Sequence, residues 1–372
     1  MRRGIVTVSV VVLAMFGVLL GTAAFLFSNL VVDSPEDDDR ARNTTPPRLY
    51  PAQIGSSWGY IDKTGTMVVP LQFSRAEPFS EGLAPVTLNG KAAYIDEVGR
   101  VAILLNNADY GRQFSDGMAE VEVGNLWGYI DRSGAFVIKP QFEWTRPFNE
   151  GIAYARKSAH SENYPIDKTG KPVSISPPDA DCEFVVFREG LNECRAVNGL
   201  SGYVDHGGRW VIKPTFDREA GRFSEGLAYA RLPAKRANWG YIDPEGNWAI
   251  KPQFLGVASF SEGLAAVRVF TFSFPPFKWG FIDRQGRMVI PPIYDEVASF
   301  CGGFCAVQKG TKVGFIDKTG QIVIPFGCYG GGYFAGPLAS VIYTDKDGKA
   351  HPAYINRKGE MIWVSPNIVG RA

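Results

Sequence analysis

Trp239-Gly240-Tyr241-Ile242-Asp243-Pro244-Glu245-Gly246 is followed by Ala249-Ile250-Lys251-Pro252-Gln253-Phe254 and then by Phe260-Ser261-Glu262-Gly263-Leu264-Ala265. Nearly the same words recur from Trp58, Trp127 and Trp279, and in weaker spelling at five other places. Self-similarity at a period of about 20 to 50 residues marks stacked or ring-arranged units. Aligned on the aspartate, the copies fall at Asp62, Asp96, Asp131, Asp167, Asp205, Asp243, Asp283, Asp317 and Asn356, 34 to 40 residues apart. Ile or Val precedes the aligned residue in all nine, and Gly stands three positions after it, from Gly65 to Gly359.

Asp or Asn with Gly three residues on, between two apolar runs, is hairpin chemistry: the side chain accepts from the turn's own amides and Gly supplies positive φ. Tyr-Ile before the turn and Met67-Val68-Val69 or Met288-Val289-Ile290 after it read as paired strands, rich in β-branched and aromatic residues. Pro70 or Pro291 then stops the pairing, because proline has no ladder donor. After an irregular stretch, Glu262-Gly263-Leu264-Ala265-Ala266-Val267 reads as a third strand, linked to the next unit by short polar turns such as Asn89-Gly90-Lys91. Alternation puts Trp and Tyr on one face and Gly with Ile on the other. Such a sheet is apolar on both sides and must be sandwiched between neighbours, with the tryptophans as inter-unit core.

The words Trp-Gly-Tyr-Ile-Asp, Val-Ile-x-Pro-x-Phe and Phe-Ser-Glu-Gly-Leu-Ala resemble the WG, or KWG, repeats of bacterial proteins. The resemblance covers residues 50 to 366. It departs where Asn163, Ser201, Val313 and Pro352 replace the Trp, and in the unit from Ala92. It implies an all-β repeat architecture and no assigned chemistry. The expected fold is therefore an array of about nine three-stranded antiparallel meanders, an open or superhelical solenoid, with a closed propeller as the alternative. Propellers typically carry four to eight blades of about four strands, which favours the solenoid.

From Gly4 to Val32 no residue is charged; Arg2 and Arg3 precede the stretch and Asp33, Glu36, Asp37, Asp38 and Asp39 follow. A helix of that length, at about 1.5 Å per residue, exceeds the bilayer's apolar thickness of about 30 Å. The flanking charges place the N-terminus in the cytoplasm and the repeats outside. The expected layout is a signal anchor over 1–32, a flexible linker over 33–48 and the repeat array over 49–372. This implies a single-pass protein of a bacterial inner membrane with the repeats on the extracytoplasmic side. The alternative is a secreted or periplasmic form after signal cleavage, although a signal peptide's apolar core is shorter, about 7 to 15 residues. Leu49-Tyr50-Pro51-Ala52-Gln53-Ile54 occupies the third-strand slot and completes the first unit.

Lys plus Arg number 39 and Asp plus Glu 38, and after the first forty residues the counts are 36 and 33. No charge run supports phosphate neutralisation, so nucleic acid is not an expected partner. His160, His206 and His351 fall in different slots of different units. Asp-Lys-Thr-Gly at Asp62, Asp167 and Asp317 lacks the distal Glu of a calcium loop. Glu81, Glu150, Glu189, Glu225 and Glu262 recur along one edge and read as turn residues accepting backbone amides; a glycosidase pair is the rival. Cys182, Cys194, Cys301, Cys305 and Cys328 show no Cys-x-x-Cys spacing, so zinc is not expected. Cys182 and Cys194 bracket the most degenerate unit, where a disulfide staple is the hypothesis. No catalytic, cofactor or metal residue is assigned.

The link between units six and seven stands apart: Val269-Phe270-Thr271-Phe272-Ser273-Phe274-Pro275-Pro276-Phe277. Phe270, Phe272, Phe274 and Phe277 either fold down on the next unit or form a partner contact, since exposed contiguous apolar area marks interaction sites. The expected function is a non-enzymatic, membrane-tethered binding or scaffolding module for a protein or peptide of the cell envelope. The alternatives are cell-wall glycan binding through exposed rings and, last, an envelope hydrolase.

Overall fold

The described residues form nine antiparallel sheets, and the repeat is offset from them by one strand: Leu264–Phe270, which closes the repeat opened by Trp239, pairs with Phe277–Asp283 of the next. The computed structural model describes residues 48–367 other than 178, 183–185, 235–237, 273–275, 328 and 331. The expected membrane segment and most of the linker lie outside the described residues. Among the described residues, no helix is long and apolar enough to cross a membrane.

Blade 2 shows the full unit: Arg75–Ala76, Leu83–Leu88, Lys91–Asp96 and Val101–Leu104, each strand pairing with the next. Three sheets have three strands, five have four and the last has five, which corrects the uniform three-stranded reading. The added strand is the stretch that looks irregular in sequence. It pairs at Arg75↔Thr87 and Ala76↔Val86, continues through Glu77 N–H to Pro85 O (3.1 Å), and closes with the bridge Ser80↔Leu83. So short and interrupted a ladder leaves no two-residue alternation to read.

The strand after the Asp turn does not stop at its proline. In blade 6 it runs Trp248–Phe254 through Pro252, and the register jumps from Tyr241↔Ile250 to Trp239↔Phe254. Four steps on one strand against two on the other make a bulge, and proline is tolerated there because the ladder is already broken. The bulge presses a carbonyl onto the facing glycine: a Cβ on Gly240 would lie 2.5 Å from Ile250 O, with the same clash at Gly59, Gly128, Gly202 and Gly280. The recurring Gly and the recurring Pro are thus two sides of one irregularity.

The tyrosines of the repeat are its core. Tyr60, Tyr94, Tyr129, Tyr203 and Tyr241 are fully buried. Tyr241 meets Phe260 of blade 7 edge-on at 4.9 Å and donates its hydroxyl to Ala258 O at 2.8 Å. Ile242, on the opposite face, packs with Tyr203, Ile212 and Phe223. One strand therefore serves two inter-blade cores, as the two-sided apolar pattern requires. The tryptophans depart from the expectation. Trp58, Trp127 and Trp239 are half-buried, and Trp279 alone of the four is buried. Guanidinium groups lie over two of them, Arg112 at 4.4 Å from the Trp127 ring and Arg231 at 4.6 Å from Trp239, an arrangement favoured by the ring quadrupole.

The blades close into a ring. The Asp-turn glycine of each blade lies against the Val or Ile of the blade before it: Gly246 on Ile212, Gly286 on Ile250, Gly320 on Ile290, Gly359 on Ile324. Gly65 of blade 1 takes the same position against Ile362 of blade 9. Tyr50 and Tyr354 meet edge-on at 5.5 Å, Tyr354 donates to Pro51 O, and Tyr50 donates to Ala335 O at 2.8 Å. Beyond the last strand, Ser365 Oγ donates to Gln53 O at 3.0 Å and Asn367 exchanges two hydrogen bonds with the Gly55 backbone. The molecule is a closed nine-bladed β-propeller, not the open solenoid. With the extra strand supplied by the irregular stretch, six of the nine sheets reach the four or more strands of a typical propeller blade. Leu49–Ile54 does complete blade 1, as Tyr50–Ile54 paired to Ser57–Ile61.

Candidate functional site

At one end of the strands lie the Asp turns and the Glu-Gly turns. In the Asp turns one carboxylate oxygen gathers the turn's own donors: Asp62 Oδ1 accepts from Thr64 N (2.8 Å), Thr64 Oγ1 (2.6 Å) and Thr66 N (3.1 Å). The hydroxyl bond, then the amides, hold its carboxyl below the usual carboxylate range, and the same holds at Asp131, Asp167 and Asp317. Asn356 makes the same two backbone contacts with a neutral carbonyl, to Lys358 N and Glu360 N. These residues build turns.

The recurring glutamates have an inter-blade task. Glu81, Glu150, Glu189, Glu225 and Glu262 all sit at positive φ, between 46° and 56°, beside a positive-φ glycine. From there each carboxylate reaches the corresponding turn of the next blade: Glu189 accepts from Gly226 N at 2.8 Å, Glu225 from Gly263 N at 2.9 Å and Glu262 from Gly303 N at 2.9 Å. Asp116 plays the part in blade 3, accepting from Gly151 N at 2.6 Å. Beside the carboxylates run hydroxyls, Ser224 to Phe260 O (2.8 Å) and Ser261 to Phe300 O (2.7 Å), and bases such as Lys318, 3.2 Å from Glu262. They do accept backbone amides, as expected, but from the neighbouring blade. The clasp runs from blade 2 to blade 8, where Cys301-Gly302-Gly303 carries no carboxylate.

His160, His206 and His351 remain in separate blades, and His206 stacks on Phe187 at 3.9 Å. Among the described residues no group of three or more His, Cys, Asp or Glu is placed to hold a metal. Glu120 is the one buried carboxylate among the described residues, accepting from Arg112 (3.0 Å) and from Thr145 of blade 4 (2.7 Å); burial pushes its carboxyl up. Cys182 and Cys194 are joined by a disulfide across blade 5. Cys305 is buried and Cys301 half-buried, with burial pushing the Cys301 thiol up to about 11. Cys328 lies outside the described residues.

At the other end of the strands stands the feature that fits a contact. In blade 7 Leu264–Phe270 and Phe277–Asp283 pair over their full length, ending on Phe270↔Phe277, and the loop beyond is tied by Thr271 N–H to Pro276 O at 2.7 Å. Phe272 is 104% exposed, Phe270 59% and Phe277 46%. The rings do not fold onto the next blade. They pack on one another, Phe270 against Phe272 at 5.9 Å and against Phe277 at 6.0 Å, both edge-on. Phe274 lies outside the described residues. The structure adds neighbours that the spacing did not single out, because they come from other strands: Arg268 opposite Trp279, and the blade 8 hairpin carrying Lys309 and Lys312.

A family profile described as a WG containing repeat matches residues 58–91, 127–158, 202–232, 239–269, 279–312 and 314–346, together more than half of the chain. No curated protein matches the sequence. Among solved structures, a eukaryotic initiation factor is similar at 10% identity and a TM-score of 0.55, covering 87% of this chain and 96% of that one. BamB from Moraxella catarrhalis is similar at 11% identity and a TM-score of 0.34, covering 74% of this chain and 93% of that one. At 10% identity the first likeness is one of fold alone.

Proposed function

The chain belongs to the WG-repeat family, and from that premise we propose that it is a non-enzymatic, membrane-tethered propeller that binds or scaffolds a protein or peptide of the bacterial cell envelope. The observation that carries the proposal is the aromatic hairpin of blade 7. Three exposed phenylalanines cost solvation and stabilise no neighbouring blade, and exposed contiguous apolar area of this kind marks interaction sites. The recurring carboxylates accept the next blade's amides, which favours a structural role for them over that of a hydrolase acid pair. Trp127 and Trp239 each lie against an arginine, which weighs against their stacking on a glycan. The disulfide of blade 5 suits an oxidising compartment, in keeping with an array outside the inner membrane.

A photo-crosslinking residue in place of Phe272 in the full-length chain in cells provides the test. The expected result is a discrete protein adduct, absent when the crosslinker replaces exposed Val68 of blade 1. Adducts only to cell-wall fragments, with cosedimentation on purified cell wall, would move the assignment to glycan. Fractionation is expected to retain the chain with the inner membrane; a soluble mature form beginning after the apolar stretch would replace the tether with a cleaved signal.

A further inference from the structure

We propose that the phenylalanine hairpin of blade 7 and the lysine-bearing tip of blade 8 form one docking surface, and that its occupant is an acidic segment with a bulky apolar anchor on a partner protein. The proposal rests on the hairpin being a partner contact, as above, and adds the chemistry of what it binds. Residues paired directly across an antiparallel ladder share a face. Arg268↔Trp279 and Phe270↔Phe277 therefore lie on one side of the hairpin. That side looks toward blade 8, since Trp279 packs with Tyr294, Val297 and Val307. On the same side Lys309 Nζ stands 5.1 Å from the Tyr294 ring, and Lys309 pairs with Lys312 across the blade 8 hairpin. The surface thus runs from Phe272 through Phe270 and Phe277 and past Arg268 to the two lysines.

Asp295 holds the two hairpins together. It accepts from the Gly310 amide at 2.7 Å and is paired with Lys278 of the blade 7 hairpin. That pairing neutralises Asp295, and burial pushes the carboxyl of half-buried Glu296 up while the nearby charge of Arg268 lowers it. Among the described residues Lys309 and Lys312 form no ion pair, and both are exposed. An apolar knob rimmed by cations without an acid partner selects a partner with an apolar anchor and carboxylates, because complementary rim charges steer association and suppress wrong partners. A bilayer also binds exposed phenylalanine beside lysine, but the chain's path argues against it. Tyr50 pairs with Ile61 beside the Asp62 turn, so the linker enters blade 1 at the Asp-turn face. Leu264↔Asp283 marks that same face in blade 7, and the phenylalanines stand at the far end of the strands, directed away from the side where the tether arrives.

The test uses the full chain in nanodiscs. One probe is a short fluorescent peptide carrying tryptophan and leucine among aspartates; its counterpart carries lysines in place of the aspartates. The acidic peptide is expected to bind at least about tenfold tighter, a difference of about 1.4 kcal/mol. Phe272→Ser with Phe277→Ser is expected to abolish binding. Lys309→Glu with Lys312→Glu is expected to invert the preference, and because all four side chains are exposed the unfolding temperature should stay put. Equal affinity for both peptides, unchanged by the lysine substitutions but lost with the phenylalanines, would overturn the charge assignment and leave the aromatic contact standing. Binding that survives loss of the phenylalanines would overturn both. Quenching of a label at position 272 by phosphatidylglycerol vesicles, with neither peptide bound, would assign the surface to lipid instead.

Discussion

The glutamate at positive φ is the residue that the clasp depends on. A non-glycine side chain in the left-handed region costs about 1 kcal/mol, and a charged group that accepts an amide returns about 1.5 to 3 kcal/mol. Glu225→Ala keeps the backbone cost and loses the bond to Gly263, so it is expected to destabilise by about 1 to 3 kcal/mol in urea unfolding. Glu225→Gly loses the bond but relieves the strain, and should cost less; equal losses would show that φ plays no part. The repetition of these glutamates was plain in the sequence. That they reach across to the next blade was not, since the acceptor and donor are some 38 positions apart. Tyr241 and Trp239 show a similar gap. Alternation places both rings on one face, yet only Tyr241 is sealed there. Tyr241→Ala is expected to cost about 3 to 5 kcal/mol, and Trp239→Ala less, because one side of its ring already faces Arg231 and solvent. The Asp turns add a pH dependence. Carboxyls held below their unfolded value of about 3.9 stabilise the fold above that pH, and the contribution is lost as pH falls through the depressed folded values. The unfolding temperature should therefore drop in acid, and Asp317→Asn, which copies Asn356, should flatten the drop by giving up its share of stability at neutral pH while changing little in acid.

At the scale of the blade, the bulge decides which residues are replaceable. Gly240→Ala would push a Cβ to within 2.5 Å of Ile250 O, backbone that cannot move without breaking the ladder. A loss of about 3 kcal/mol or more is expected from calorimetry, in the range of strained or overpacked sites. Gly263→Ala meets no atom within 4 Å and suffers only its positive φ of 88°, so a smaller loss is expected there. Turns, paired strands and the two-sided apolar face were legible because each is a local pattern of period two bounded by glycine. The bulge was not, because a proline ending a β-branched run has the same spelling whether the strand stops or shifts register. The extra strand escaped for a related reason: its ladder is two residues and a lone bridge. The hairpin of blade 7 could be singled out by composition, but its exposure depends on where blade 8 stops.

For the whole molecule, the repeat told how many blades there are but not whether they close. Closure depends on the small angle between neighbouring blades, which no single unit encodes. It also depends on substitutions confined to the ends. At the blade 1 end Tyr50 takes the place against Tyr354 that Phe79 holds against Tyr60, both at 5.5 Å. The edge of blade 1 is protected rather than open: Pro51 has no amide to offer, and the carbonyls of Pro51 and Gln53 accept Tyr354 and Ser365. The seam between blades 9 and 1 is thus held by side chains, where the other blades are also joined by continuous chain. The most direct test of the closed ring is an intramolecular crosslink between Cys introduced at Gly55 and Asn367, which exchange hydrogen bonds of 2.9 and 3.0 Å, with Cys301, Cys305 and Cys328 changed to Ser. A closed propeller predicts rapid, concentration-independent joining of the two positions within one chain, read by intact mass; an open solenoid would hold them at opposite ends and yield no such product.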